Sequence, residues 1–268
     1  MSDAAFTGNV PEMYARDLVP LLFAPWAELV ARRVAAARPA RILETAAGTG
    51  VVTRALAEAC PDAQIVATDL NEAMLDVAAR DTGENRRITF AAADATALPF
   101  DDESFDAAAC QFGIMFFPDR VKGYAEAARV LKPGAPLVAT LWGSLDENPV
   151  SACVHRAVGA VFPGDPPQFL ARTPFGHHDA DRVIAECEAG GFELVSVERI
   201  TLSHGALDAR SAADGLVLGS PLRAEIEAHG AGALDRALAA ARGALAEVSD
   251  GEGRIAASMT ALVVTAQR

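Results

Sequence analysis

Positive charge is scarce in this 268-residue chain: 23 Lys and Arg stand against 36 Asp and Glu, a formal charge of −13. That balance repels phosphate backbones and anionic membrane surfaces at long range, so a nucleic-acid substrate is disfavoured. Cysteine is also sparse. Cys60, Cys110, Cys153 and Cys187 are scattered without a C-x-x-C pair, so neither a zinc knuckle nor a dithiol redox site is suggested. They read as small buried hydrophobes in a reducing compartment. No Cys or His grouping has ligand spacing, and no metal is expected. Nothing approaches the ~20 apolar residues that span a bilayer, and the start of the chain lacks a basic region followed by an apolar core. A cytoplasmic protein with no integral membrane association is the expectation.

What the chain does have is 51% hydrophobic residues, enough at this length for one α/β domain with an embellishment. Its most informative stretch is Arg41-Ile-Leu-Glu-Thr-Ala-Ala-Gly-Thr-Gly50, an apolar strand-like run that meets two glycines and passes into the helical pattern Val51 to Cys60. That order predicts a phosphate- or nucleoside-binding turn at the C-terminal edge of a parallel sheet. Thr53 stands where the third glycine of a dinucleotide fingerprint would be, which speaks against a bound dinucleotide. A second strand, Gln64 to Asp69, ends on a carboxylate nineteen positions after Gly50, placed to accept ribose hydroxyls. Asn71 then caps a helix from Glu72 to Arg80. A third run, Ile88 to Asp94, also ends on an acid, so Glu44, Asp69 and Asp94 share one rim of the sheet.

Further strands are expected at Ser104–Cys110, Pro136–Trp142, Phe192–Val197 and Ile255–Thr265, with helices at Arg120–Leu131 and Asp179–Ala189. The expected organisation is an N-terminal helical cover (1–37), a cofactor-binding core (38–144), a lid insertion (145–178), a core continuation (179–202), a second helical insertion (203–251) and a last core strand (252–268). Asp101, Asp102 and Glu103 read as a solvated turn, and Phe116, Phe117 and Pro118 as packing for the helix that follows. Phe23 and Trp26, at helical spacing, read as core.

Glu44-Thr-Ala-Ala-Gly-Thr-Gly50, Asp69-Leu-Asn-Glu-Ala-Met-Leu75, the segment Asp94 to Asp106, Gln111-Phe-Gly113 and Arg129-Val-Leu-Lys-Pro-Gly134 stand in the order of a known motif set. Over roughly residues 38–142 the chain resembles class I S-adenosylmethionine-dependent methyltransferases, in the subgroup that acts on quinones, lipids and other small molecules. The resemblance implies a Rossmann-like, seven-stranded, mostly parallel sheet with an antiparallel last strand and a helical lid. It implies S-adenosylmethionine as cofactor, with Ala46, Gly48 and Gly50 in the turn beside its methionine portion and Glu44 placing its ammonium. Asp69 would bind the ribose, Leu70 and Met74 would flank the adenine, and Asp94 with the Ala95 N–H would read the base. Gln111 and Phe112 would face the sulfonium.

On the same resemblance Tyr14, in a segment that folds over the cofactor, would roof the carboxylate or methyl group, with Arg16 or Arg32 as its ionic alternatives. The reaction implied is in-line methyl transfer to a small, hydrophobic or aromatic acceptor, which Phe169 and Leu216 of the two insertions would contact. His155 is the candidate general base ahead of His177, His178 and His204, since an imidazole changes state near neutral pH. A homodimer is compatible with these features. The competing classes are a nicotinamide oxidoreductase, which lacks its third glycine and a Tyr-x-x-x-Lys dyad, and a non-catalytic scaffold that retains the fold.

Overall fold

The computed structural model describes residues 10–268, apart from the side chains of 204–207 and 256–257. Seven strands form one sheet: β1 (Arg41–Glu44), β2 (Gln64–Asp69), β3 (Ile88–Ala92), β4 (Ala107–Gln111), β5 (Pro136–Trp142), β6 (Glu193–Asp208) and β7 (Arg254–Gln267). Their order is β3-β2-β1-β4-β5-β7-β6. Neighbours from β3 to β5 run parallel, and β7 inserts antiparallel beside β5, with Leu141 opposite Leu262. The expected class, with its antiparallel last strand, is the observed one.

Residues divide into two compact units. The sheet unit takes Ala24–Trp142, His177–Ile200 and Ala261–Arg268. Its central strands are buried on both faces, as their unbroken apolar runs require. Ile42, Ile65, Ala107 and Val138 pack with Val52 and Leu56 of the helix Val51–Ala59 and Val30 and Val34 of the helix Ala24–Ala35. The strand order reverses between β2-β1 and β1-β4, and in open sheets of this kind the ligand crevice lies beyond the carboxyl ends at that switch point.

The helical unit takes the segment ending at Phe23, Gly143–Gly176 and Thr201–Thr260. Its longest helix, Ala233–Glu247, turns Ala233, Ala237, Ala241 and Leu245 inward at a spacing of four, each fully buried. Small side chains on that stripe let it lie close against the helices Pro149–Val161 and Ala209–Leu218. Glu225 ties the unit's two long stretches together: its Oε2 accepts from the Gln168 and Phe169 N–H groups (2.8 and 2.9 Å), and its Oε1 accepts from Arg172 (2.6 Å).

Several boundaries differ from the sequence expectation for identifiable reasons. The fourth strand begins at Ala107, not Ser104, because the Phe105 N–H and C=O go to Val130 and Lys132 instead of to a sheet neighbour. The third ends at Ala92, leaving Asp94 in the turn. The sixth runs on to Asp208: its half-buried residues are Val195 and Val197, then Ile200 and Leu202, so a one-residue slip at Glu198-Arg199 imitates a strand end. The helical insertion expected over 203–251 holds three helices, Ala209–Leu218, Leu222–Glu227 and Ala233–Glu247, the last two separated by Gly230 and Gly232 with positive φ.

Candidate cofactor site

The turn after β1 is clipped to both neighbouring strands. Thr45 N–H donates to the Ala109 carbonyl (3.0 Å) and Ala47 N–H to the Thr68 carbonyl (2.9 Å). Ala46, Gly48 and Gly50 all have positive φ (52°, 54° and 78°). A Cβ on Gly48 would project into open space, so the backbone there is bare to a ligand. Gly113 serves the opposite purpose. A Cβ on it would lie 2.4 Å from the Ala46 Cβ and 2.9 Å from the Cys110 Sγ, so the turns after β1 and β4 meet only because residue 113 has none.

Three acids occupy this region in different states. Glu44 is 1% exposed, and burial pushes its carboxyl up to about 8 against the partial relief of a Thr53 hydrogen bond. Asp69 accepts from the Gly48 N–H at Oδ2 (2.8 Å) and from the Asn71 N–H at Oδ1 (2.9 Å). Burial raises its pKa and those N–H bonds oppose the rise. Asp94 is exposed, and the Thr96 N–H and hydroxyl, both 2.8 Å from Oδ1, lower its pKa, so it is ionised. Asn71 caps the helix Glu72–Thr82 through the Ala73 N–H, as expected. Arg129 secures the loop beyond Asp94 by donating to the Leu98 and Phe100 carbonyls while paired with Glu126.

Leu70 is 68% exposed beside Asp69, a large apolar surface at the rim, whereas Met74 is buried in the core. Ala95 and Gln111 are half-buried. Phe112, with φ 52°, is buried and stacks on Trp142 at 3.8 Å and 6°, and Trp26 meets both rings edge-on at 5.9 and 6.2 Å. A bulky residue held in the left-handed region costs energy that the surrounding packing must offset, and such residues gather at ligand sites. Phe117 lies 2.5 Å from where a Cβ on Gly123 would be, so it packs on the first turn of the helix Arg120–Val130 as expected.

The remaining candidates fall in the helical unit or are committed elsewhere. Tyr14 opens the π-helical segment Tyr14–Phe23 and stacks on Phe23 (5.0 Å). Phe169 and Leu216 are buried. His155 is half-buried, and burial together with Arg156 lowers its pKa, favouring the neutral imidazole that a base requires. Arg16 is paired with Asp17. In the sheet unit His177 is buried with Nε2 2.9 Å from Glu186, and His178 is exposed. The His204 side chain lies outside the described residues. Among the described residues no three His, Cys, Asp or Glu side chains are grouped to hold a metal ion, and no helix is long and apolar enough to cross a membrane. Sequence reasoning missed two threonines: Thr53 donates to Glu44 Oε2 (2.6 Å) and Thr68 to the Glu44 carbonyl (2.9 Å). The only sequence signal was a threonine in place of the third glycine.

Comparison with known proteins bears on the family and the fold. A methyltransferase-domain family model matches residues 42–134. A demethylmenaquinone methyltransferase of Corynebacterium urealyticum is 32% identical over 186 residues, 66% of this chain and 77% of that protein. The chain belongs to the S-adenosylmethionine-dependent methyltransferases. Another relative, the demethylmenaquinone methyltransferase of Clavibacter sepedonicus, is 45% identical over 113 residues, covering 42% of this chain and 45% of that protein. The chain thus spans about half the length of several curated relatives it matches. The crystal structure of the YcgJ protein from Bacillus subtilis shares the fold, with TM-score 0.57 and 20% identity over 89% of this chain and 97% of that one.

Proposed function

We propose that the protein transfers the methyl group of S-adenosylmethionine to a small aromatic or hydrophobic acceptor of the quinone kind. The observation that carries this reading is the Gly48 N–H. In a dinucleotide fold that donor would face a pyrophosphate, whereas here it is given to Asp69 at 2.8 Å. With Asp69 on the Gly48 N–H and the Glu44 carboxyl at the end of the adjoining strand, the turn offers acceptors where a phosphate would need donors, and suits a ligand bearing an ammonium and a sulfonium. The residues fit that cofactor: bare backbone at Gly48 for the methionine portion, Glu44 for its ammonium, Asp69 for the ribose, and Leu70 with Asp94 and the Ala95 N–H for the adenine. Gln111 and Phe112 are assigned to the sulfonium end.

The cofactor, when bound, supplies an electrophilic methyl group. What this chain contributes is orientation and exclusion of water, through the turn, the acids and the stacked Phe112 and Trp142. His155 is proposed as the acceptor's base and Tyr14 as a hydroxyl donor, with Phe169 and Leu216 contributing to acceptor binding.

Calorimetry tests the reading directly. S-adenosylmethionine or its demethylated product is expected to bind and NAD to bind far more weakly; no heat from either sulfur ligand at millimolar concentration would sink the assignment. Asp69→Ala should weaken cofactor binding by about 1–3 kcal/mol, the scale of lost charge-assisted hydrogen bonds. For the acceptor, Phe169→Trp and Leu216→Phe are expected to change the acceptor KM or product choice with cofactor affinity retained. Uniform losses for every acceptor, together with weaker cofactor binding, would assign both side chains to packing alone.

A further inference from the structure

Thr53 is 0% exposed on the first turns of the helix that follows the glycine turn, and its hydroxyl reaches back nine residues to Glu44 Oε2 at 2.6 Å. A buried threonine in a helix ordinarily returns its hydroxyl to a carbonyl one turn earlier. This one donates to a carboxyl at a strand end instead. Thr68 of β2 holds the same residue's main-chain oxygen at 2.9 Å, so Glu44 is fixed at both ends by buried hydroxyls. The Thr53 N–H, one of the free donors of the helix's first turn, reaches the same carboxyl.

We propose that Thr53 is a positioning residue for the cofactor: its hydroxyl aligns the Glu44 carboxyl for the ligand's ammonium, so that docking of that ammonium is coupled to release of a proton from Glu44. The proposal rests on the cofactor reading above and goes beyond it by naming what orients the acid and what binding does to its proton. The step balances simply. The ligand arrives with its ammonium, Glu44 gives its proton to solvent, and the ion pair that forms holds one positive and one negative charge.

The surroundings of Glu44 agree. Burial is the largest influence and favours the uncharged acid; Asp69 on β2 pushes the same way, while the Thr53 hydroxyl, Arg54 on the helix and the Thr53 N–H favour the carboxylate. Cys110 on β4, itself pushed up to about 11 by burial, feels Glu44 but carries no charge at neutral pH. An uncharged acid poised in this way ionises when a cation is brought against it.

The test compares two ligands that share the adenosine: S-adenosylhomocysteine, which carries the ammonium, and 5′-methylthioadenosine, which lacks the amino-acid portion. For the unaltered protein, affinity for S-adenosylhomocysteine is expected to rise by up to about tenfold per pH unit between pH 6 and 7.5, since one proton is released on binding. Calorimetry in buffers of different ionisation enthalpy should register that proton. Affinity for 5′-methylthioadenosine should stay flat with pH. Thr53→Val is expected to weaken S-adenosylhomocysteine at pH 7 by about tenfold or more, the scale of a hydrogen bond to a charged group. It should leave 5′-methylthioadenosine nearly unchanged, and Thr53→Ser should restore both affinity and pH slope. Equal losses for the two ligands in T53V, or a pH-independent affinity for S-adenosylhomocysteine in the unaltered protein, would overturn the proposal while leaving the cofactor reading intact. Absence of binding by both ligands would overturn the cofactor reading itself. If T53V does not fold, the two-ligand pH comparison on the unaltered chain still decides.

Discussion

Replacing Glu44 with Gln is expected to abolish a loss of stability that the natural chain undergoes as pH rises from about 5 to about 8. Glu44 is buried, and its carboxyl is raised from an ordinary value of 4.5 to about 8, chiefly by desolvation of the charged form. The folded state therefore holds a proton that the unfolded chain gives up near pH 4.5. Its contribution is fully present below the unfolded value and is lost as pH climbs toward the folded one. At 1.36 kcal/mol per pKa unit the loss across the window is about 4 kcal/mol. Glutamine keeps the size of the side chain and an oxygen for the Thr53 hydroxyl but has no proton to lose. The half-buried imidazole of His155 and the buried one of His177 are shifted downward and gain stability over the same rise, so the informative quantity is the difference between the two proteins. Urea unfolding at pH 5, 6.5 and 8 should give curves that converge at the acid end and separate upward for E44Q. Parallel curves would mean that Glu44 is already ionised when the protein is free.

The sheet and the cofactor turn were readable in the chain because both depend on local pattern. Runs such as Gln64 to Asp69 alternate or stay apolar over a few residues, Gly48 and Gly50 mark left-handed backbone, and Asn71 sits one residue before a helical pattern. Each signal is complete within a short window. Features built by distant residues left no such trace. The slip at Glu198-Arg199 hid the full length of β6, because strand periodicity is recognised only while its phase holds. Gly113 stood in the chain only as the end of the Gln111-Phe-Gly motif, and its packing purpose appears only when the Ala46 turn meets it. Thr53 was noticed for what it displaced, a glycine, and not for the carboxyl it reaches. The pairing of Glu225 with the start of the helix Phe169–Arg172 likewise joins segments more than fifty residues apart.

Trp26→Ala should cost about 3–5 kcal/mol of stability, the range for deleting a buried indole, and should weaken the cofactor as well. Trp26 is 0% exposed and places its edge against the Phe112 and Trp142 rings, which stack on one another at 3.8 Å. Edge-to-face contacts of this kind add to the burial of apolar area, so the loss has two sources. The indole holds Phe112 in place, and Phe112 has a left-handed backbone that only tight packing sustains. With the indole gone, the residues after β4 are free to relax, and the sulfonium end of the proposed site loosens with them. Trp26→Phe separates packing from polarity. The Nε1 hydrogen of Trp26 is buried without a hydrogen-bond partner among the described residues, so phenylalanine gives up some apolar area but also removes a donor that burial penalises. W26F should therefore lose far less stability than W26A and keep cofactor affinity near that of the natural chain. Denaturant unfolding and calorimetry with S-adenosylhomocysteine on both variants check this. A W26A protein as stable as W26F, or one that binds the ligand as tightly as the natural chain, would show that the indole does not support Phe112.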